Sequence, residues 1–105
     1  MLRIYPICLD MVRRMQPYIK KVGMHDPNLA RQLKSACTAV PLNMAEGSNP
    51  RAGRRRHCYD IANGEAQETL VGLEVAQAAG YIEGIDDILR GELNQIIGTL
   101  VNCVR

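Results

Sequence analysis

The sequence predicts an all-α protein, an up-down antiparallel four-helix bundle formed by a single domain, residues 1–105. Apolar residues recur at helical spacing in four long segments, and no segment alternates as a half-buried strand would. Aromatic residues make up only 4% of the chain, so aliphatic side chains suited to helix packing dominate. The connections between the four segments are short, which favours antiparallel neighbours.

The first helix is predicted from Ile4 to Val22. Pro17 removes one backbone hydrogen bond and should bend this helix. Asp26 is the expected N-cap of the second helix, and Pro27 its first residue. The inward stripe of the first helix is Ile4, Cys8, Met11, Val12, Met15, Tyr18, Ile19 and Val22.

The second helix is predicted from Pro27 to Glu46, with a kink at Pro41, because proline in a helix interior costs about 3 kcal/mol. Gly47 is the expected C-cap. Its inward residues are Leu29, Leu33, Ala36, Cys37, Val40 and Met44.

The third helix is predicted from Gly53 or Arg54 to Ala79, closed by Gly80. The fourth is predicted from Gly84 or Ile85 to Val104. Its inward residues are expected to be Ile85, Ile88, Leu89, Ile96, Ile97, Leu100 and Val104.

The third helix is apolar on two sides. One stripe comprises Tyr59, Ala62, Ala66, Thr69, Leu70, Leu73 and Ala76. The other, here called the second stripe, comprises Ile61, Gly64, Glu68, Gly72, Val75 and Ala79. A helix that is apolar on two sides is usually buried on two sides, so the second stripe predicts a subunit interface and a homo-oligomer.

Glycines add to this prediction. Besides Gly64 and Gly72, the set Gly84, Gly91 and Gly98 repeats every seven residues in the region of the last helix. Glycine in a helix interior costs about 1 kcal/mol relative to alanine, so a stripe of glycines indicates close backbone approach. Tight packing within one bundle would explain the glycines equally, and both explanations stay open.

Several ordered motifs resemble one known family. They are Leu33-Lys34-Ser35-Ala36-Cys37, Val40-Pro41-Leu42-Asn43-Met44-Ala45-Glu46-Gly47 followed by Arg51, Ile61-Ala62-Asn63-Gly64 with Glu68, and Ala78-Ala79-Gly80-Tyr81-Ile82. The chain thereby resembles the four-helix-bundle family named after proteins encoded in intervening sequences of bacterial large-subunit ribosomal RNA genes. The match covers most of the chain. Two departures are a nearly absent aromatic N-terminal segment and Glu65 where the family has serine.

The resemblance implies a cytosolic four-helix bundle without a known activity. Some members of the family resemble the accessory variability determinant of diversity-generating retroelements. That protein is a basic bundle that forms a ring-like pentamer and binds nucleic acid and the reverse transcriptase. The resemblance therefore implies a pentamer as the form of the predicted oligomer.

Three polar residues are predicted to have structural roles. Asn43 can satisfy backbone groups freed by Pro41. Glu46 lies where the helix macrodipole disfavours a carboxylate, so it should have a cationic partner, and Arg51 is nearest in sequence. Glu68, on the second stripe, is a candidate for a buried or interfacial ion pair. A ligand-binding or catalytic role for these residues is the less favoured alternative.

Four arginines follow the second helix closely. Arg51, Arg54, Arg55 and Arg56 stand in a chain whose net charge is only +2, so any affinity for nucleic acid must come from a local patch. Lys20, Lys21, Arg31 and Lys34 are candidates to extend this patch. Three uses remain open: a solvated run of charges, contacts with nucleic-acid phosphates, and salt bridges between subunits. Without aromatic residues among the arginines, reading of base sequence is not expected.

No catalytic signature is present, so we expect a protein that is not an enzyme. The pairs of Glu-x-x-His that a di-iron bundle needs are missing, and so is a phosphate-cradling Gly-x-x-x-x-Gly-Lys-Ser/Thr loop. Both histidines, His25 and His57, are expected at the surface. We expect no cofactor and no metal, since no ligand spacing is evident.

A cytoplasmic location is expected. The N-terminus has no long apolar region of a secretion signal, and no window approaches the roughly 18 apolar residues of a membrane span. The four cysteines are widely spaced and are expected to be reduced, small apolar residues of the helices: Cys8, Cys37, Cys58 and Cys103.

Two hypotheses follow. The first is an oligomer that binds RNA or DNA phosphates through its arginines. The second is a structural or protein-interaction module, whose arginines pair with carboxylates of neighbouring subunits or of a protein partner. Salt-dependent binding to generic nucleic acid distinguishes the two.

Overall fold

A computed structural model of the chain describes residues 2–49, 51 and 53–104. This part of the chain forms four α-helices and contains no β-strand. The helices are α1 (Tyr5–Gly23), α2 (Pro27–Gly47), α3 (Arg55–Ala78) and α4 (Asp87–Val104). The predicted all-α four-helix fold is confirmed. None of the helices described is long and apolar enough to cross a membrane.

Local signals account for most of the helix ends. The side chain of Asp26 accepts a hydrogen bond from the backbone N–H of Leu29 at 3.0 Å, so the predicted N-cap of α2 is confirmed. After α3, Gly80 has a φ of +82°. The N–H of Tyr81 bonds the carbonyl of Ala76 at 2.9 Å, which is the Schellman arrangement.

The start of α4 differs from the prediction. Asp86 accepts a hydrogen bond from the N–H of Leu89 at 3.1 Å through Oδ2, and α4 therefore begins at Asp87, after this cap. Gly84 lies before the helix, so only Gly91 and Gly98 of the expected glycine repeat are on α4.

The role predicted for Gly47 was wrong. It is not a C-cap with positive φ but the buried last residue of α2, and Ser48 follows it as the cap. A Cβ at Gly47 would lie 2.7 Å from Cε1 and 2.8 Å from Cδ1 of the Tyr59 ring. Glycine is required here because α2 and α3 approach closely, not because of a local turn.

The helices surround one core. α1 packs against α2, α2 against α3 and α3 against α4, while α4 also packs against α1. The largest fully buried side chains are Met11, Met15, Leu33, Met44, Leu73, Leu89, Leu93, Ile96 and Leu100. Ile88, predicted inward, is 57% exposed, so that assignment was wrong, while Leu93 fills the core of α4 instead. The alternation of helix direction and the bend at Pro41 stay predictions.

Side-chain contacts also connect the turns. The rings of His25 and Tyr81 stack with centroids 5.2 Å apart, which joins the turn after α1 to the turn after α3. The hydroxyl of Tyr18 on α1 accepts a hydrogen bond from the N–H of Asp86 at 2.8 Å. These contacts hold α1 against the segment that leads into α4.

Candidate nucleic-acid interface

The basic turn, defined here as Arg51, Arg54, Arg55 and Arg56, lies between the end of α2 and the first turn of α3. All of its four side chains are exposed. Gly53, with a φ of +62°, allows the chain to turn just before α3 begins. The predicted arginine patch is therefore a solvent-accessible surface at one end of the bundle.

Arg55 is at the centre of this surface. A concavity of about 550 Å³ is lined by Gly53, Arg54, Arg55, Arg56, His57, Asp60 and Val104. A second, of about 400 Å³, is lined by Leu2, Ser48, Arg55, Tyr59 and Cys103. A third, also about 400 Å³, is lined by Gly47, Asn49, Gly53, Arg55 and Arg56. Arg54, Arg55 and Arg56 thus line open concavities large enough for phosphate groups, whereas Arg51 lines none of the three.

The arginines of the basic turn differ in their partners. Nη2 of Arg54 lies 3.1 Å from Oε1 of Glu46, and this exposed pair supplies the cation expected for Glu46. The partner is Arg54 and not Arg51, because the first turn of α3 lies beside the end of α2. Arg55 and Arg56 take part in none of the ion pairs found among the described residues.

The start of α3 adds a further attraction for anions. Arg54, at the N-cap position, makes no side-chain hydrogen bond to the first turn. Backbone N–H groups at a helix N-terminus favour negative charge, and the dipole of the helix acts in the same direction. The guanidinium groups of Arg55 and Arg56 are therefore in a place that costs a few tenths of a kcal/mol each in helix stability and suits an anionic ligand.

Tyr59 positions the basic turn, a role that was not predicted from the sequence. The ring is 4% exposed and contacts α2 at Gly47. Its hydroxyl is 2.8 Å from Oγ of Ser48. These contacts fix the last turn of α2 against the first turn of α3. The only sequence signal was an aromatic residue in a chain with four tyrosines and no Phe or Trp.

The other predicted basic residues lie elsewhere. Arg31 and Lys34 are exposed in the first half of α2. Lys34 precedes Glu46 by three turns, a distance of about 18 Å along the helix. Arg31 contacts Oδ1 of Asn28. The structure brings the four residues of the basic turn together and leaves Arg31 and Lys34 outside that cluster.

The three predicted structural polar residues have separate neighbours. Nδ2 of Asn43 donates to the carbonyl of Ala39 at 2.9 Å, so it bonds the backbone of α2 as expected, although not at the carbonyl freed by Pro41. Glu46 pairs with Arg54. Glu68 is exposed, so an ion pair buried inside the bundle is excluded for this residue.

The second stripe lies on the outer face of α3. Gly64, Glu68 and Ala79 are exposed, and so are Ile61 and Val75, by 39% and 49%. Gly72 is half-buried, and a Cβ at this position would lie 2.5 Å from Cδ2 of Leu33. The lack of a side chain at Gly72 therefore allows Leu33 to pack against α3.

A shallow apolar groove runs beside this stripe, between α2 and α3. It has a volume of about 180 Å³ and is lined by Leu29, Gln32, Leu33, Glu68, Val71, Gly72 and Val75. Val71 is 54% exposed at its edge. Around Gly64, by contrast, no atom lies within 4 Å of a Cβ position. The bundle itself therefore explains Gly72 but offers no internal reason for Gly64.

Reactive groups are sparse in this structure. Among the described residues, no group of three or more His, Cys, Asp and Glu side chains could hold a metal ion. His25 and His57 are exposed, as expected. Burial raises the pKa of the Cys8 thiol to about 12 and that of Cys37 to about 11. All four cysteines are free, and Cys103 is exposed, unlike the other three.

Comparison with known proteins identifies a family. The family model described as 23S rRNA-intervening sequence protein matches residues 2–102. Neither a curated protein nor a solved structure matches the chain significantly. The matched span includes all of α1, α2 and α3 and nearly all of α4.

Proposed function

The chain belongs to the family of 23S rRNA-intervening sequence proteins, and from this premise we propose that it is a non-enzymatic cytoplasmic protein that self-assembles and binds nucleic-acid phosphates. The observation that carries the proposal is the basic turn. Its arginines are exposed, and three of them line open concavities. Arg55 and Arg56 have no ion-pair partner among the described residues. Guanidinium groups in such a position can neutralise the phosphates of RNA or DNA.

The proposed binding is not specific for base sequence. Arginine contacts to phosphates position a nucleic acid without reading its bases. The basic turn contributes no exposed aromatic side chain on which bases could stack, since Tyr59 is 4% exposed. A single patch of this size would bind weakly, and repetition of the patch in an oligomer would raise the avidity.

Fluorescence anisotropy with a generic RNA and a generic DNA tests this proposal. The affinity of the wild-type protein should fall steeply as salt rises from about 50 to 200 mM. The double variant Arg55→Ala/Arg56→Ala should bind more weakly. The slope of log K against the logarithm of the salt concentration should become shallower by about 0.7–0.9 for each phosphate that the variant no longer neutralises. No binding at low salt would contradict the proposal.

A matched control removes the same charge from the last turn of α1. Lys20 and Lys21 are exposed there, far along the chain from the basic turn. Lys20→Ala/Lys21→Ala should keep most of the wild-type affinity. If both double variants lose affinity equally, net charge and not the basic turn determines binding.

For self-assembly, the supporting observation is the set of exposed apolar side chains on α3. Val71 and Val75 line the groove and are 54% and 49% exposed, and Ile61, nearer the start of α3, is 39% exposed. Exposed apolar patches of this kind mark interaction sites. The family resemblance suggests a ring-like pentamer. Sedimentation equilibrium at micromolar concentration should give a mass of several chains of 11.7 kDa each, and a monomer would contradict the proposal.

Two variants locate the interface. Val75→Glu places a charge on the second stripe and should shift the oligomer towards monomer. Ile88→Glu is the matched control, because Ile88 is an exposed aliphatic residue of α4, 57% exposed and outside the stripe. Dissociation by both variants, or by Ile88→Glu alone, would place the interface elsewhere.

The alternative function is a structural or protein-interaction module without nucleic acid. The observation that favours it is the ion pair between Arg54 and Glu46, in which an arginine of the basic turn is already occupied by a carboxylate. In that case Arg55 and Arg56 would pair with carboxylates of a neighbouring subunit or of a protein partner. Arg55→Ala/Arg56→Ala would then alter the mass of the assembly. Neither this variant nor the wild-type protein would bind nucleic acid.

A further inference from the structure

Glu92 of α4 lies against α1 beside Asp10 and Arg14. Nε of Arg14 is 2.9 Å from Oδ2 of Asp10 and 3.3 Å from Oε1 of Glu92. The Glu92 side chain is 13% exposed. Its Oε1 is buried and has no hydrogen-bond partner among the described residues. One guanidinium N–H therefore faces two carboxyl groups and completes a hydrogen bond with only one of them.

Other charged groups do not balance this cluster. On α1, Nη1 of Arg13 is 3.9 Å from Oδ1 of Asp10, and the Arg13 side chain is 71% exposed. The buried thiol of Cys8 is neutral, because burial raises its pKa to about 12. Before α4, the carboxylate of Asp86 adds negative charge near Glu92.

Among the described residues, no cation of the third helix forms an ion pair with Asp10 or Glu92. Where α3 packs against α4, the described ion pair joins Glu74 to Arg90, with 3.6 Å between Oε2 and Nη1. In that pair the charge of Arg90 is neutralised by Glu74. With Asp10 and Glu92 both ionised, the Asp10–Arg14–Glu92 cluster carries an excess negative charge that is partly removed from water.

A proton resolves this imbalance. Burial raises the pKa of Glu92 to about 7, and so do a hydrogen bond to Asp10 and the negative charge of Asp10. The pKa of Asp10 is lowered, because the protonated Glu92 and the Arg14 guanidinium both donate to its carboxylate. Below a pH of about 7 the Glu92 carboxyl group is protonated, and the proton relieves the repulsion between the two carboxyl groups that face Arg14.

We propose that Asp10, Arg14 and Glu92 form a pH-sensitive contact between α1 and α4. Binding of one proton strengthens this contact, and release of the proton weakens it. The stabilisation is fully present below the ordinary pKa of an unfolded-chain glutamate. It declines from about pH 4.5, where the unfolded chain releases this proton and the folded state retains it, and it is fully lost once the pH has risen through the folded-state value near 7.

Two measurements test this proposal. In carbon-13 NMR, one glutamate carboxyl group of the wild-type protein should titrate near pH 7, and this signal should be missing in Glu92→Gln. In Asp10→Asn, the midpoint of that titration should fall, because the negative charge beside Glu92 is gone. Titration of every glutamate in the ordinary range would overturn the proposal.

Unfolding experiments give the consequence for the fold. The urea midpoint of the wild-type protein should decrease between about pH 4.5 and pH 7.5 relative to that of Glu92→Gln, which has no ionisable group at this position. Parallel midpoints for the two proteins over this range would contradict the proposal. If Glu92→Gln does not fold, the proposal is still tested by the carboxyl titration of the wild-type protein and by the shift of its midpoint in Asp10→Asn.

Discussion

The contact between Gly47 and Tyr59 makes a quantitative prediction for Gly47→Ala. An alanine Cβ would lie 2.7–2.8 Å from two ring carbons of Tyr59 and 3.1 Å from Cβ of Cys58. Carbon atoms pack at about 3.5–4.0 Å, so the ring or the helix would have to move by about 1 Å. The ring cannot move freely, since it is 4% exposed and its hydroxyl is 2.8 Å from Oγ of Ser48.

The net effect combines two opposing terms. Alanine in place of glycine stabilises a helix by about 0.5–1 kcal/mol. Overpacking a well-filled contact costs about 1–3 kcal/mol. We therefore expect Gly47→Ala to lower the free energy of unfolding by about 1 kcal/mol, and urea denaturation followed by circular dichroism should show a midpoint lower by about 0.5–1 M.

Gly98→Ala is the matched control. Gly98 lies within α4 and is exposed, and no atom is within 4 Å of its Cβ position. Only the helix-propensity term applies there, so its urea midpoint should rise. If Gly47→Ala is stabilised as much as Gly98→Ala, then α2 and α3 do not approach as closely as described, and the reasoning fails.

Three further predictions concern stability and accessibility. Asp86→Ala removes the N-cap of α4 and should lower the free energy of unfolding by about 0.5–2 kcal/mol, measured by urea denaturation, whereas an unchanged midpoint would show that the cap is dispensable. Arg54→Ala breaks only an exposed ion pair with Glu46, so its stability should stay within about 1 kcal/mol of wild type, and a larger decrease would indicate a role beyond this pair. In native protein a thiol reagent should modify Cys103 rapidly, since it alone is exposed, and rapid reaction of more than one thiol would contradict the burial of Cys8, Cys37 and Cys58.

The sequence was sufficient for the helices because their signals are local. Periodicity located all four, and Asp26 and Gly80 act at the ends where they were expected. The errors arise where the role of a residue depends on how its helix packs against the others. Gly47 resembles a C-cap in the sequence, but its small size is needed by Tyr59, twelve positions later in α3. Ile88 lies one position before the buried Leu89, about 100° around the helix, and so falls outside the stripe that Leu89, Leu93, Ile96 and Leu100 form.

The candidate site was predicted in part. Consecutive arginines after a helix end are visible in any reading of the chain, and the structure places them at one end of the bundle. Which arginine pairs with Glu46 depends on how α2 packs against α3. Sequence proximity suggested Arg51, whereas the structure pairs Glu46 with Arg54. The cluster around Glu92 joins α1 to α4 across most of the chain, and no sequence spacing reveals it.

The recessed space around Arg55 also contains both ends of the described chain. Leu2 and Cys103 line one of its concavities, and Val104 lines another. A segment fused to either terminus of the chain would therefore be joined close to the basic turn. A polyhistidine tag at either end could supply or mask phosphate contacts, so binding should be compared before and after its removal. A fluorescent label is better attached near the turn between α1 and α2, at the exposed Met24.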